Sequence, residues 1–187
     1  MALPSTRMEY RIALSHVDRG IEESLTVIAA LHPSETAEHL ALRVLAYCLL
    51  YQERIEFGEG LCNPEEPDLC ARDLTGQLTL WVECGAADAD KLRRVLQHHA
   101  AAQVHAVFAG ERRLQDLLKE VAGWTRAVKG LERVTLWTLD PTLVEALAAR
   151  EGRRHRLSVT IVGDHFYVEV DGEHLDGAAA RGALPGA

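Results

Sequence analysis

Residues 67–85 read PDLCARDLTGQLTLWVECG, two runs suited to β-strands on either side of Thr75-Gly76. A turn-prone pair at that place predicts a β-hairpin. If Leu74 pairs with Gln77, the antiparallel register puts Asp68 directly opposite Glu83, with both side chains on one face. The other face is apolar and is expected to pack on the core: Leu69, Ala71, Leu78, Leu80 and Val82. The hairpin therefore carries a carboxylate pair near its open end.

Such a pair needs a physical reason to exist. Two like charges about 5 Å apart repel by roughly 3 kcal/mol at an effective dielectric near 20. The repulsion is tolerable if the acids share a proton, if solvent screens them, or if a cation lies between them. Mg²⁺ or Mn²⁺ with oxygen ligands, holding a water against a phosphodiester, is one use of this arrangement. The alternative is an exposed acid pair at a strand end with no metal.

Composition predicts an ordinary soluble protein. The chain has 187 residues, of which 48% are hydrophobic and 26% charged, which suits one domain of residues 1–176. No apolar run approaches the roughly 18 residues of a membrane span. The start, MALPSTRMEYRIALS, lacks the basic and apolar blocks of a secretory signal. We therefore expect a cytoplasmic protein with no membrane partner.

The charge balance bears on partners. The formal net charge is −8, whereas phosphate-backbone binding is driven by clustered Lys and Arg. The basic groups at residues 91–94 and 153–156 are short and are typical of solvated faces. Nucleic acid is a possible partner that the acidic charge disfavours, and the sequence identifies no protein partner.

The four cysteines, Cys48, Cys62, Cys70 and Cys84, show no C-x-x-C spacing. They also lack the neighbouring histidines of a zinc site. We expect reduced, structural thiols. No G-K-[ST] phosphate loop or nucleophile elbow occurs either.

The order of elements predicts a mixed α/β fold. Alternating segments give two strands, a helix, three strands, helix, strand, helix, strand, helix and a final hairpin at residues 154–170. The first helix is expected to open at residues 32–36, with Ser34 as its cap and Glu35 and Glu38 as solvated acids at the positive end of the dipole. The Gly/Ala-rich tail, residues 177–187, is expected to be disordered.

Four segments resemble the YaeQ family of small bacterial proteins. They are HPSETAEHLALRVLAY (residues 32–47), FGEGLCNPEEPDL (57–69), DLTGQLTLWVECG (73–85) and VTLWTL (134–139), in order and over most of the chain. The resemblance implies a restriction-endonuclease-like fold. Its αβββαβ core carries the PD-(D/E)XK nuclease site, and here we expect extra β-hairpins at both ends of the chain.

The resemblance also implies site residues. Pro67-Asp68 resembles the PD dipeptide, Glu83 resembles the acid of the third strand, and Glu38 resembles the glutamate of the first helix. The sequence departs from the pattern at the lysine, because the position two after Glu83 is Gly85. Lys91, on the next helix, is the candidate for a migrated basic residue.

Two functions follow from these residues. One is a metal-dependent nuclease or phosphodiesterase: Asp68 and Glu83 bind Mg²⁺ or Mn²⁺, Glu38 holds a ligand or water, and Lys91 stabilises charge. The other is a nuclease-like fold that has lost catalysis and serves as a binding or regulatory module. The retained acids favour the first, while Gly85 and the net charge of −8 favour the second.

Overall fold

The computed structural model describes residues 5–58, 65–124 and 127–186. The strands are β1 (Thr6–His16), β2 (Ile21–Leu31), β3 (Ile55–Phe57), β4 (Leu69–Arg72), β5 (Leu78–Cys84), β6 (Gln103–Ala109), β7 (Val134–Leu139), β8 (Arg154–Val162), β9 (His165–Val170) and β10 (Glu173–Ala183). The helices are α1 (Ala37–Leu49), α2 (Ala89–His98), α3 (Glu111–Ala122) and α4 (Pro141–Ala148). The expected mixed fold of strands and helices is confirmed.

All ten strands of the described residues form one sheet, in the order β2-β1-β8-β9-β10-β7-β6-β5-β4-β3. Neighbours are antiparallel except for the parallel pairs β1/β8, β5/β6 and β6/β7. Helices α2 and α3 make the crossovers between the parallel strands β5, β6 and β7. The carboxyl ends of these strands therefore lie at the same edge of the sheet.

Helix α1 organises the larger of two hydrophobic cores. Every residue from Leu40 to Leu49 is buried, so the helix is enclosed on all sides rather than amphipathic. It contacts β2 at one end of the sheet and β5 and β6 near the other. The sheet thus curves round α1 and α4 into a nearly closed barrel. The second core lies between the opposite face of β4–β7 and the helices α2 and α3.

The central hairpin has the predicted pairing at its open end and a different turn. Leu69 pairs with Val82 and Ala71 with Leu80, as the sequence register requires. The predicted Leu74–Gln77 pair is wrong, because Asp73 N donates to Gln77 O at 2.9 Å and closes a three-residue loop. That loop shifts the register by one residue, and a β-bulge next to Ala71 shifts it back.

The bulge changes the face of one predicted core residue. Leu78 was expected beside Leu80 and Val82, yet it packs in the second core with Cys70 and Trp81. The extra bulge residue reverses the alternation of side chains between Leu78 and Leu80. Trp81 packs in this second core, and Lys91 Nζ of α2 lies 5.5 Å from the centre of its ring.

The start of α1 also differs from the prediction. Thr36, not Ser34, is the N-cap, and its hydroxyl accepts a hydrogen bond from His39 N at 3.2 Å. Ser34 instead bonds the His32 ring, its Oγ lying 2.7 Å from Nδ1. Glu35 consequently lies just before the helix, not in its first turn.

The predicted disordered tail is wrong for residues 177–183, which form most of β10. Residues 173–178 of this strand pair with β9, and residues 179–183 pair with β7. Composition alone failed here because small residues serve a packing purpose: a Cβ on Gly177 would lie 2.8 Å from Leu143 Cβ in α4. Strand partners on both sides supply the order that the local sequence lacks.

The thiols of Cys48, Cys70 and Cys84 are free and buried, while Cys62 falls outside the described residues. None of the described helices is long and apolar enough to cross a membrane.

Candidate functional site

A cavity of about 750 Å³ opens where the carboxyl ends of β5 and β6 meet the amino-terminal turns of α1 and α2. Strand β5 brings Glu83 to it, the residue before β4 brings Asp68, and α2 brings Lys91. Glu38, exposed in the first turn of α1, lines the same cavity. All four residues predicted from the sequence are thus gathered in one place.

Asp68 is held on both carboxylate oxygens. Its Oδ2 accepts a hydrogen bond from Cys84 N at 2.7 Å. Its Oδ1 lies 3.4 Å from Arg43 Nε and 3.6 Å from His39 Nε2, in two ion pairs. Only 8% of the residue is exposed, so these partners replace water as its source of stabilisation.

Glu83 has a different set of partners. Its Oε1 accepts from Trp81 Nε1 at 2.6 Å and lies 2.7 Å from Lys91 Nζ. Burial raises the pKa of Glu83 to about 7, the charge of Asp68 adds to the rise, and Lys91 opposes it. The carboxyl therefore changes its protonation state near neutral pH.

Lys91 reaches back from α2 to the acid, as its position suggested. Besides Glu83, its Nζ donates to the Glu66 carbonyl at 2.8 Å and lies 5.5 Å from the centre of the Trp81 ring. The ammonium itself therefore lies over the indole, in a cation–π contact. The orientation of this cation is consequently fixed by three contacts.

Glu35, His39 and Arg43 form a network that the sequence reading missed. Glu35 Oε1 lies 2.6 Å from His39 Nδ1 and 3.2 Å from Arg43 Nη1. Glu35 is buried and not solvated as expected, and Arg43 is 0% exposed. The available signal was a spacing of four residues, which puts three ionisable side chains on one helical face.

His39 joins this network to the cavity. Its Nε2 lies 3.1 Å from the carbonyl oxygen of Cys84, the last residue of β5. Burial lowers the pKa of His39, but its ion pairs with Asp68 and Glu35 outweigh burial and raise the pKa to about 10. The imidazole is therefore positively charged at neutral pH.

The remaining lining residues mix both signs. Acids lie near the mouth at Glu65, Glu66 and Asp88, and bases at Arg94 and Arg113. Among the described residues, no group of three or more His, Cys, Asp or Glu side chains is arranged to hold a metal ion. Any ion bound here would draw on the two carboxylates together with ligands from solvent or substrate.

The fold and the cleft together define a small mixed α/β protein with a carboxylate site at the edge of a curved sheet. The family profile described as "YaeQ protein" matches residues 1–178. The chain belongs to the YaeQ family.

Relatives and solved structures of this family are similar over nearly the whole chain. "Uncharacterized protein YaeQ" of Escherichia coli K12 is 29% identical over 178 residues, which is 94% of each chain. The Salmonella typhi protein is 28% identical over 165 residues, or 86% of each. The crystal structure of YaeQ from Xanthomonas axonopodis pv. citri has a TM-score of 0.83 at 29% identity, covering 97% of this chain and 99% of that one. The Pseudomonas syringae YaeQ structure has a TM-score of 0.84 at 28% identity, with 96% and 97% covered.

Proposed function

We propose that the cleft is a nuclease-like site that binds Mg²⁺ or Mn²⁺ through Asp68 and Glu83 and acts on a phosphodiester. The observation that carries the proposal is the 2.7 Å contact between Lys91 Nζ and Glu83 Oε1, in the cavity that Asp68 also lines. A cation is thereby supplied beside the strand acid although residue 85 is glycine. This is the role that the sequence assigned to Lys91 as a migrated base.

The element order supports a restriction-endonuclease-like core. Helix α1 is followed by β3, β4 and β5, then by α2 and β6, the sequence αβββαβ. Strands β3, β4 and β5 pair antiparallel as neighbours, and β6 joins β5 in parallel after the α2 crossover. The two acids lie at the end of this unit where the three antiparallel strands meet the crossover.

The donor set suits a hard cation that is only partly held by protein. Mg²⁺ characteristically uses one or two carboxylates and completes its shell with water and substrate phosphates. Asp68 and Glu83 would provide those two carboxylates, and Glu38, which lines the same cavity, would hold a water or a ligand. A bound divalent ion would supply an activated water and charge stabilisation.

The chain's own residues have separable tasks in this proposal. The Cys84 amide donates to Asp68 Oδ2 and so fixes the orientation of this carboxylate before any ligand binds. Lys91 opposes the rise in the pKa of Glu83 that burial causes, and its ammonium would bind a phosphoryl oxygen of the substrate. Trp81 donates its indole N–H to Glu83 Oε1 and so helps to orient this carboxyl group.

A second function is favoured by the cations around Asp68. Arg43 and His39 both lie within 4 Å of its Oδ1, so this carboxylate is already compensated by protein. With glycine at residue 85 and a net charge of −8, the same cleft would suit a catalytically degenerate module that binds a ligand or regulates a partner. The two functions differ in metal binding and in turnover.

A calorimetric titration with Mn²⁺ distinguishes them. Wild type is compared with Asp68→Ala, with Asp90→Ala as the control, because Asp90 is an exposed acid on the first turn of α2. We expect binding by wild type and the control and at least a tenfold loss in Asp68→Ala. Hydrolysis of bis(p-nitrophenyl) phosphate and of plasmid DNA is then followed with Mn²⁺ present. Binding without hydrolysis would support the degenerate module, and equal heats from wild type and Asp68→Ala would end the metal proposal.

A further inference from the structure

Gly85 lies directly against the imidazole ring of His39. Gly85 has φ +80°, and a Cβ built there would lie 3.1 Å from His39 Cδ2 and 3.8 Å from His39 Nε2. The imidazole therefore fills the space into which a side chain at residue 85 would project. The ring of His39 therefore packs closely because residue 85 has no side chain.

The partners of His39 establish its charge. Nε2 lies 3.1 Å from a backbone carbonyl oxygen, which can only accept a hydrogen bond. Nδ1 lies 2.6 Å from the Glu35 carboxylate, which is also ion-paired with Arg43. Both ring nitrogens consequently carry protons, and the ring is an imidazolium fixed at both ends.

The position of this cation relates it to the two acids. His39 Nε2 is 3.6 Å from Asp68 Oδ1, while Lys91 Nζ is 2.7 Å from Glu83 Oε1. Each acid of the cleft thus has its own cavity-lining cation, supplied by a different helix. The side chain of His39 is 18% exposed, so it is accessible from the cavity.

We infer that His39, oriented by Glu35, is a positioning residue of the site: it takes the place of the basic side chain absent at residue 85, holds the Asp68 carboxylate and the Cys84 carbonyl, and competes with a divalent cation for them. The inference rests on the proposed function, in which Asp68 is a metal ligand. Lys91 and His39 then divide between two helices the positive charge that a single lysine at residue 85 would provide.

If His39 competes with the metal ion for Asp68, removing its charge should strengthen Mn²⁺ binding. A purely structural role of His39 does not predict tighter binding. His39→Gln removes the positive charge but keeps an amide able to donate to the Cys84 carbonyl. We expect Mn²⁺ to bind His39→Gln about tenfold more tightly than wild type, since a like charge beside a ligand carboxylate is gone. Turnover of bis(p-nitrophenyl) phosphate is expected to fall at least tenfold, because Asp68 is less firmly oriented. His174→Gln, an exposed histidine of β10, is the matched control and should behave as wild type.

The shared space is tested separately by a double-mutant cycle in urea. Gly85→Ala is compared in wild type and in a His39→Ala background, so that the backbone strain of φ +80° cancels between the two. We expect the fall in unfolding midpoint caused by Gly85→Ala to be at least halved when His39 is absent. An equal fall in both backgrounds would overturn the packing argument.

The outcomes separate the inference from the proposed function. Mn²⁺ binding by His39→Gln together with none by wild type supports the inference and contradicts metal use by the native site. Binding by His39→Gln that is equal to wild type or weaker overturns the inference, whether or not Asp68→Ala abolishes binding.

Discussion

Asp68 is ion-paired with two residues of α1, His39 and Arg43. Strand register predicted that Asp68 and Glu83 face each other, and the family resemblance, with glycine at residue 85, made Lys91 the candidate base. The ion pairs of Asp68 with His39 and Arg43 join α1 to the hairpin across more than twenty residues of chain. A local pattern cannot specify such a pairing. The sequence does indicate that Arg43 has a partner, because this arginine interrupts the apolar run LALRVLAYCLL. A charge inside an apolar helix is tolerable only when it is paired.

The pKa of His39 predicts a pH dependence of stability. Its value in the folded protein, about 10, lies above the unfolded value of 6.5, so the folded state binds a proton more tightly. The contribution is complete below pH 6.5 and is lost as pH rises toward 10. Between pH 7 and 9 we expect the free energy of unfolding of wild type to fall by about 2 kcal/mol relative to His39→Gln.

Urea denaturation at several pH values measures this difference. The comparison cancels the buried thiols, whose pKa values are also raised and which affect both proteins alike. The raised pKa of Glu83, about 7 against 4.5 unfolded, acts mostly below this window, where stability falls between pH 4.5 and 7. Parallel profiles for wild type and His39→Gln would show that the histidine is not held as a cation.

At the scale of elements, periodicity predicted most strands and helices, and the misses have physical causes. The predicted final hairpin at residues 154–170 agrees with β8 and β9 because alternation is intrinsic to that segment. The turn at Asp73 was missed because its side chain accepts from Thr75 N, Thr75 Oγ1 and Gln77 N, which stabilises a longer loop than the Thr75-Gly76 pair suggested. β10 was missed because its order comes from β7, β9 and α4.

Gly177 of β10 allows α4 to approach the sheet closely. A Cβ at residue 177 would lie 2.8 Å from Leu143 Cβ and 2.9 Å from Asp140 Cβ, at the beginning of α4, where Asp140 caps the helix. Gly177→Ala should therefore push α4 away from the sheet and cost about 2–3 kcal/mol.

Gly182→Ala on the same strand is the matched control. A Cβ there would meet Leu136 Cβ at 3.9 Å, an ordinary contact, and the expected change is within about 0.5 kcal/mol. Urea unfolding of both variants measures the difference. Similar losses at the two positions would mean that α4 is free to adjust and that glycine is not required for its close approach.

For the whole molecule, Arg43 connects the parts that the sheet order keeps farthest apart. β2 and β3 are the two ends of the ten-stranded sheet. Arg43 Nη1 donates to Ala30 O in β2 at 3.4 Å, and Nη2 donates to Gly58 O, just after β3, at 3.0 Å. The same guanidinium pairs with Glu35 and Asp68. Closure of the sheet and the charge balance of the cleft are thus linked through one side chain.

Arg43→Met should consequently affect fold and site together. Methionine preserves much of the volume, but Glu35 and Asp68 lose a buried cation, and two carbonyls at the ends of the sheet lose their donor. Removing one partner of a buried ion pair costs about 3–5 kcal/mol, and we expect a loss of that size in urea unfolding. Hydrogen exchange should accelerate in β2 and β3 before it does in β8 and β9, because the two sheet ends separate first.

Arg93→Met provides the comparison, since Arg93 forms an exposed pair with Asp90 at 2.9 Å on α2. Surface pairs of this kind contribute about 0–1 kcal/mol, so this variant should unfold close to wild type. If Arg43→Met loses no more stability than Arg93→Met, the sheet does not depend on Arg43 for closure. If Arg43→Met loses the expected stability but hydrogen exchange in β2 and β3 is unchanged, the loss comes only from the unpaired carboxylates of Glu35 and Asp68. Because the two readouts are independent, they separate the role of Arg43 in joining the sheet ends from its role in balancing Asp68.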